Sequence, residues 1–207
     1  ITPAVRNIQV VDPSSNDITR AHHVIGADES GNVTGPGAFA LSVIRCPREC
    51  GEQLAEILIQ NGLDPWVSKS QTLRAKTSDE EFNRRVESFI QDVSSTPVEW
   101  QAAVGYDDVT IHHKAAGVCA LAKGTITSVR SYNGDAVLLP DGATSMYGSQ
   151  QEHLRRQVSQ FFDGSFESAF GAIYTSGLAK ADLTYPEATA ADYISGYVRS
   201  MLVDQGG

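Results

Sequence analysis

The sequence predicts an α/β fold in which a mixed β-sheet is covered by helices, and three observations carry that expectation. Two apolar runs, His23–Glu29 and Ala38–Cys46, lie close together with Gly35-Pro36-Gly37 before the second, as in an antiparallel hairpin. The later short apolar runs alternate with segments of helical periodicity, which adds further strands beside that hairpin. The chain has 207 residues, 41% hydrophobic and 20% charged, enough for one core and short for two.

Each element follows from a local signal. Residues 1–22 are polar and turn-rich, with Val5–Val11 as a short strand, and read as an N-terminal extension to a single domain over 23–207. Glu49–Gln60 carries Leu54, Ile57 and Leu58 at helical spacing and stops at Asn61-Gly62. Asp64–Lys76 reads as a loop. Ser78, with Glu81 three residues on, forms a capping box for a helix to about Asp92, whose Phe82, Val86, Phe89 and Ile90 share one face. Pro97–Tyr106 is a third strand and Val109–Arg130 a long apolar helix. Ala136–Leu139 is a short buried strand ended by Pro140. Tyr147–Phe162 is an amphipathic helix, Phe170–Tyr174 a strand, and Ala188–Val203 the final helix.

The net charge is −9 and the isoelectric point about 4.9, which argues against a broad phosphate-binding surface. Lysine occurs only at Lys69, Lys76, Lys114, Lys123 and Lys180; the other cations are arginine. Few lysines among many carboxylates suggest adaptation to high salt, where a Debye length of about 3 Å at 1 M screens an acidic shell. A mildly acidic protein of ordinary salinity is the alternative. No apolar run approaches the roughly 18–20 residues that span a bilayer, and no signal-peptide pattern opens the sequence. Cys46, Cys50 and Cys119 lack the further ligands of a zinc site, and their odd number fits a reducing cytoplasm.

The chemistry-bearing residues are acids at strand ends. Asp28 and Glu29 end the first strand, and because side chains alternate, both cannot hide in one core. Asp141 follows the apolar Ala136–Leu139 and Pro140. Asp182 follows the Phe170–Tyr174 strand and a loop with Lys180. Ligands of such sheets bind beyond the carboxyl ends of the strands. Clustered carboxylates need a cation, and oxygen-only ligands favour Mg²⁺ or Mn²⁺. Singly, each acid is more often a turn former or a cap.

Four short motifs, in order, resemble the type 2 ribonucleases H. Asp28-Glu29-Ser30-Gly31-Asn32 then Gly35-Pro36 is similar to the family's opening Asp-Glu-Ala-Gly-Arg-Gly and the Gly-Pro before its second strand. Ser68-Lys69-Ser70 matches a Ser-Lys segment before an early helix. Leu138-Leu139-Pro140-Asp141-Gly142 matches a strand ending in Asp-Gly. Lys180-Ala181-Asp182-Leu183-Thr184-Tyr185-Pro186, then Ala190-Ala191, resembles the Lys-Ala-Asp and Tyr-Pro run of archaeal and eukaryotic members. Together these motifs span most of residues 23–200.

The resemblance implies a ribonuclease-H-like mixed sheet flanked by helices. It implies hydrolysis of the RNA strand of RNA–DNA hybrids, or at a ribonucleotide embedded in DNA. Asp28, Glu29, Asp141 and Asp182 would be the catalytic metal carboxylates for Mg²⁺ or Mn²⁺, gathered within roughly 8 Å as in a two-metal site. Ser30, Gly31, Asn32, Lys69, Lys180 and Tyr185 would contact the nucleic acid, the glycine turn reading the ribose 2′-hydroxyl. Asn32-Val33 stands where the family has Arg-Gly, and Asp192 and Gly196 stand where it has a serine and a phosphate-facing lysine. Asp192 is either a further metal ligand or a solvated helix residue, the second being preferred. Tyr193 or Tyr197 is a candidate for the family's stacking tyrosine. Two other readings stay open: a nuclease of this fold with a different substrate, because Asp-Glu-Ser-Gly also opens another group of such proteins, and a non-catalytic binding module.

Other features have blander readings. His112-His113 is expected to cap the central helix or face solvent. His22-His23 could approach the acids. Arg84-Arg85 and Arg155-Arg156 read as solvated helix faces, and Trp66 as a core or base-stacking residue.

Overall fold

The computed structural model describes residues 9–11, 18–31, 37–65, 67–106, 109–127, 136–140, 173–175 and 181–204. Strands β1 (Gln9–Val11) and β2 (Ile18–Arg20) pair antiparallel, so part of the expected N-terminal extension is a two-stranded ribbon. A five-stranded sheet follows, built from β3 (His23–Ser30), β4 (Ala38–Pro47), β5 (Glu99–Tyr106), β6 (Ala136–Pro140) and β7 (Ile173–Thr175). Its order is β5-β4-β3-β6-β7. The β3–β4 and β4–β5 pairs are antiparallel, while β6 runs parallel to β3 and β7 parallel to β6. The predicted mixed sheet is therefore present, hairpin first.

The helices are α1 (Gly51–Gln60), α2 (Ser70–Arg74), α3 (Asp79–Val93), α4 (Ile111–Thr127) and α5 (Pro186–Asp204). The short α2 lies inside the stretch expected to be a loop. The predicted helix Tyr147–Phe162 falls outside the described residues, as do Trp66 and Arg155-Arg156. No helix among the described residues is long and apolar enough to cross a membrane.

The pleat sorts the central strands between two cores. Ile25 and Ala27 of β3, with Phe39, Leu41 and Val43 of β4, face Val118, Cys119 and Ala122 of α4. Ile44 and Cys46 face the other way, toward α1, α3 and α5. The capping box of α3 is half formed. The Ser78 hydroxyl accepts from the Glu81 amide at 3.2 Å, but the Glu81 carboxylate takes Arg84 and Arg85 instead of reaching back.

Gly26 decides where α5 sits. A Cβ on this residue would overlap the backbone carbonyl of Glu187 and the amide of Ala188. Only glycine lets the first turn of α5 rest directly on β3. Pro186 opens that helix, where its missing N–H costs nothing. The first half of α5 is consequently buried on every side, with Ala188, Ala190, Ala191 and Ile194 fully enclosed.

Candidate metal centre

Asp28 follows Gly26 by two residues and so shares its face of β3, toward α5. Asp182 sits in a 3₁₀ turn, Ala181–Leu183, just ahead of α5. Thr189 ties that turn to the helix, its hydroxyl lying 2.5 Å from the Asp182 carbonyl and 3.0 Å from that of Tyr185. Asp192 lies further along α5. Among the described residues these three acids are brought together: each offers an oxygen, and the three oxygens lie within 4.8 Å of one another. All are nearly enclosed, at 8%, 1% and 8% exposure for Asp28, Asp182 and Asp192. They come from a strand, a turn and a helix, so only the tertiary fold assembles them.

Neighbouring groups fix each carboxylate. The Glu29 amide donates to Asp28 Oδ1 at 2.7 Å. Lys69 Nζ forms an ion pair with Asp182. The backbone N–H and the hydroxyl of Ser70 both donate to Asp192, each at 2.6 Å. A cavity of about 570 Å³ opens beside the cluster, lined by Asp28, Glu29, Lys69, Ser70, Asp192 and Arg199 among others. Arg199 donates from Nε to the Ala38 carbonyl at 3.0 Å, close against Gly31. Gly31 has φ +107°, a conformation that side chains other than glycine's rarely adopt.

Several of the expected site residues are brought together at the cavity. Asp28, Asp182 and Lys69 meet. Ser30 and Gly31 line the cavity. Glu29 rims the cavity too, but its carboxylate is engaged by Lys114 of α4. Asp141, Asn32 and Lys180 lie outside the described residues. Tyr185 packs against Ala21, Val24, Val137 and Leu139, and burial, with the Glu187 charge second, raises its phenol above the usual range. Asp192 corrects the sequence reading: it is no solvated helix residue but the third member of the cluster, because α5 is pressed onto the sheet at Gly26. A sharper signal was available in the sequence. Asp192 stands amid Ala188, Ala190, Ala191 and Ile194, where an acid is out of place unless paired.

Tyr193 is fully buried, its hydroxyl bonded to Ser68, which leaves it no face for a base. Burial first, and the nearby Asp192 charge, push its phenol up to about 12. Tyr197 donates to Glu87 at 3.0 Å. His113 and Thr110 bond reciprocally at the start of α4, the expected capping role. His23 begins β3 beside Arg45, at the end away from Asp28.

No family model matches the sequence, and no curated protein matches it. Solved structures do. The chain is similar to ribonuclease HII of Archaeoglobus fulgidus, seen in its complex with PCNA, at 15% identity and TM-score 0.52, over 88% of this chain and 75% of that one. It is similar to ribonuclease H2 of Pyrococcus horikoshii at 12% identity and TM-score 0.52, over 88% and 74%. Bst ribonuclease HIII, solved with Mn²⁺, matches at 14% identity and TM-score 0.55, over 89% of this chain and 54% of that one. At such identities what is shared is the backbone. The chain has the ribonuclease-H-like fold of ribonucleases HII and HIII, with three carboxylates gathered at the end of its central strand.

Proposed function

We propose that the protein is a divalent-metal-dependent endonuclease that hydrolyses the RNA strand of RNA–DNA hybrids or cuts at a ribonucleotide embedded in DNA. The supporting observation is the convergence of Asp28, Asp182 and Asp192 beside an open cavity, on this fold. Three enclosed carboxylates at such spacing repel, and Lys69 offsets one of them. The donor set is oxygen only, which suits Mg²⁺ or Mn²⁺. Asp28, Asp182 and Asp192 would hold the ion, with Asp141 as the further ligand expected from the sequence. Bound there, such a metal supplies an activated water and a counter-charge for the leaving oxygen of a phosphodiester.

The remaining work falls to the chain itself. Lys69 reaches the cavity with its side chain 40% exposed, so it can meet a substrate phosphate while steadying Asp182. Ser30 and Gly31, with Asn32 and Lys180 as expected neighbours, would present the sugar-reading surface. A backbone group at the Gly31 turn can approach a 2′-hydroxyl because no side chain intervenes. Tyr185 contributes by holding the turn of Asp182 against the sheet.

The test is cleavage of labelled RNA–DNA hybrid, single-ribonucleotide duplex, DNA duplex and single strands, with Mg²⁺ or Mn²⁺, at low and at molar KCl. The expected outcome is cutting at ribonucleotides only, lost in Asp182→Asn. No cleavage of any substrate, or cleavage unchanged in that variant, overturns the proposal. A second reading, a nuclease of this fold with another substrate, draws on Asn32-Val33 in place of Arg-Gly. DNA cut as fast as hybrid would establish it.

A further inference from the structure

We propose that Lys114 is a built-in counter-ion that takes Glu29 out of the metal-ligand set, so that Asp192 serves in its stead. This rests on the metal-site reading above and specifies its ligands. Asp28 and Glu29 are adjacent in β3 and leave the pleat on opposite faces, yet at this strand end both line the cavity beside the cluster, so the pleat alone does not withdraw the Glu29 carboxylate. Asp28 joins Asp182 and Asp192 on the α5 side. Glu29 follows Ile25 and Ala27 onto the α4 side, where Lys114 Nζ meets its Oε1.

The position of Lys114 shows that this pair is a built feature. Its side chain is only 7% exposed, against 22% for Glu29. An enclosed ammonium requires an anionic partner. Lys114 also lies in the first turn of α4, its amide bonded to the Thr110 carbonyl, and a cation there opposes the helix dipole. Helix propensity therefore does not account for a lysine at this place, whereas Glu29 does. Removal of Glu29 from the cluster leaves a vacancy for a carboxylate, and Asp192 fills it from α5 with its orientation set by the two bonds from Ser70. Lys114 thus acts as a positioning residue: it sets which acids face the metal without touching it.

The experiment is Mn²⁺ binding, followed by calorimetry and by the electron-spin signal of free Mn²⁺, on the full chain and on Glu29→Gln, Lys114→Met, the double variant and Asp182→Asn. Glu29→Gln is expected to weaken binding by less than about tenfold, below the range typical of lost ligand support. Lys114→Met, which frees the Glu29 charge, is expected to tighten binding by about tenfold, and the double variant to return to within about threefold of the original protein. A loss of tenfold or more in Glu29→Gln makes Glu29 a ligand and overturns the proposal, as does a Lys114→Met protein that binds no more tightly. Should Lys114→Met fail to fold by circular dichroism, Glu29→Gln alone decides. Failure of the original protein to bind Mn²⁺, or binding undiminished in Asp182→Asn, overturns the metal site itself and this proposal with it. Normal loss in Asp182→Asn with tenfold loss in Glu29→Gln overturns only the role of Lys114.

Discussion

Ser70 gives Asp192 two donors, the backbone N–H to Oδ2 and the hydroxyl to Oδ1, each across 2.6 Å. Ser70 is the first residue of α2, so the carboxylate also satisfies an otherwise orphaned helix amide. One acid thereby joins α2 to α5. Ser70→Ala removes the hydroxyl and leaves the amide. It is expected to cost about 1–2 kcal/mol of stability and to weaken Mn²⁺ binding about tenfold, as loss of support behind a ligand does. Urea denaturation and Mn²⁺ calorimetry check the two effects. Undiminished metal binding would show that Asp192 is only a cap.

Gly26→Ala tests the seat of α5. The added methyl meets peptide backbone, not a flexible side chain, so helix and strand must separate. Overpacking of this kind costs about 1–3 kcal/mol, and here it also draws Asp182 and Asp192 away from Asp28. Gly37→Ala is the matched control. Gly37 has φ +104° but open space around its missing side chain. It should lose stability through backbone strain alone, with metal affinity intact. Equal metal affinity in both variants would refute the link between Gly26 and the site.

The hairpin, α1, α3 and α4 were legible because their signals are local: alternation, helical spacing and caps. The acids at Asp28 and Asp182 were legible through short motifs at strand and helix boundaries. What escaped was tertiary. The five-residue α2 is too short to announce itself, and its amide cap is Asp192, which lies 122 residues from Ser70 in sequence. The division of Asp28 from Glu29 could be foreseen from the pleat, but not the lysine that claims Glu29 from another layer.

Two enclosed acids of high pKa predict a loss of stability in alkali. Burial pushes the Cys119 thiol from 9.0 up to about 12 and the Tyr193 phenol from 10.0 up to about 12. Each holds its proton more tightly folded than unfolded, so its contribution is complete below the unfolded value and vanishes as pH rises through the folded one. Stability should therefore fall from pH 9.0 toward 12, with Tyr193 adding to the slope above 10.0. Tyr193→Phe keeps the ring and should flatten the upper part of that decline, read from urea midpoints at stepped pH. A profile identical to that of the parent protein would place the titration elsewhere. Thiol-labelling reagents at pH 8 should likewise leave Cys119 untouched until the chain unfolds.

Asp28→Asn separates the cost of the carboxylate cluster from its use. Asparagine keeps an oxygen that can accept from the Glu29 amide, as Asp28 Oδ1 does at 2.7 Å. It removes one of three enclosed negative charges whose oxygens lie within 4.8 Å of one another. Repulsion at that range is about 1–3 kcal/mol at an effective dielectric constant near 20 or above. The metal-free variant should gain stability of that order over the metal-free original. Mn²⁺ at one hundred times its dissociation constant should stabilise the original protein by about 2.7 kcal/mol and leave the variant nearly unmoved. The ranking of the two proteins should then narrow or invert when metal is added, measured by urea denaturation with chelator and with Mn²⁺. A variant less stable than the original in chelator would mean that the acids are held by their hydrogen bonds and by Lys69 without net strain, and that the cluster does not await a cation.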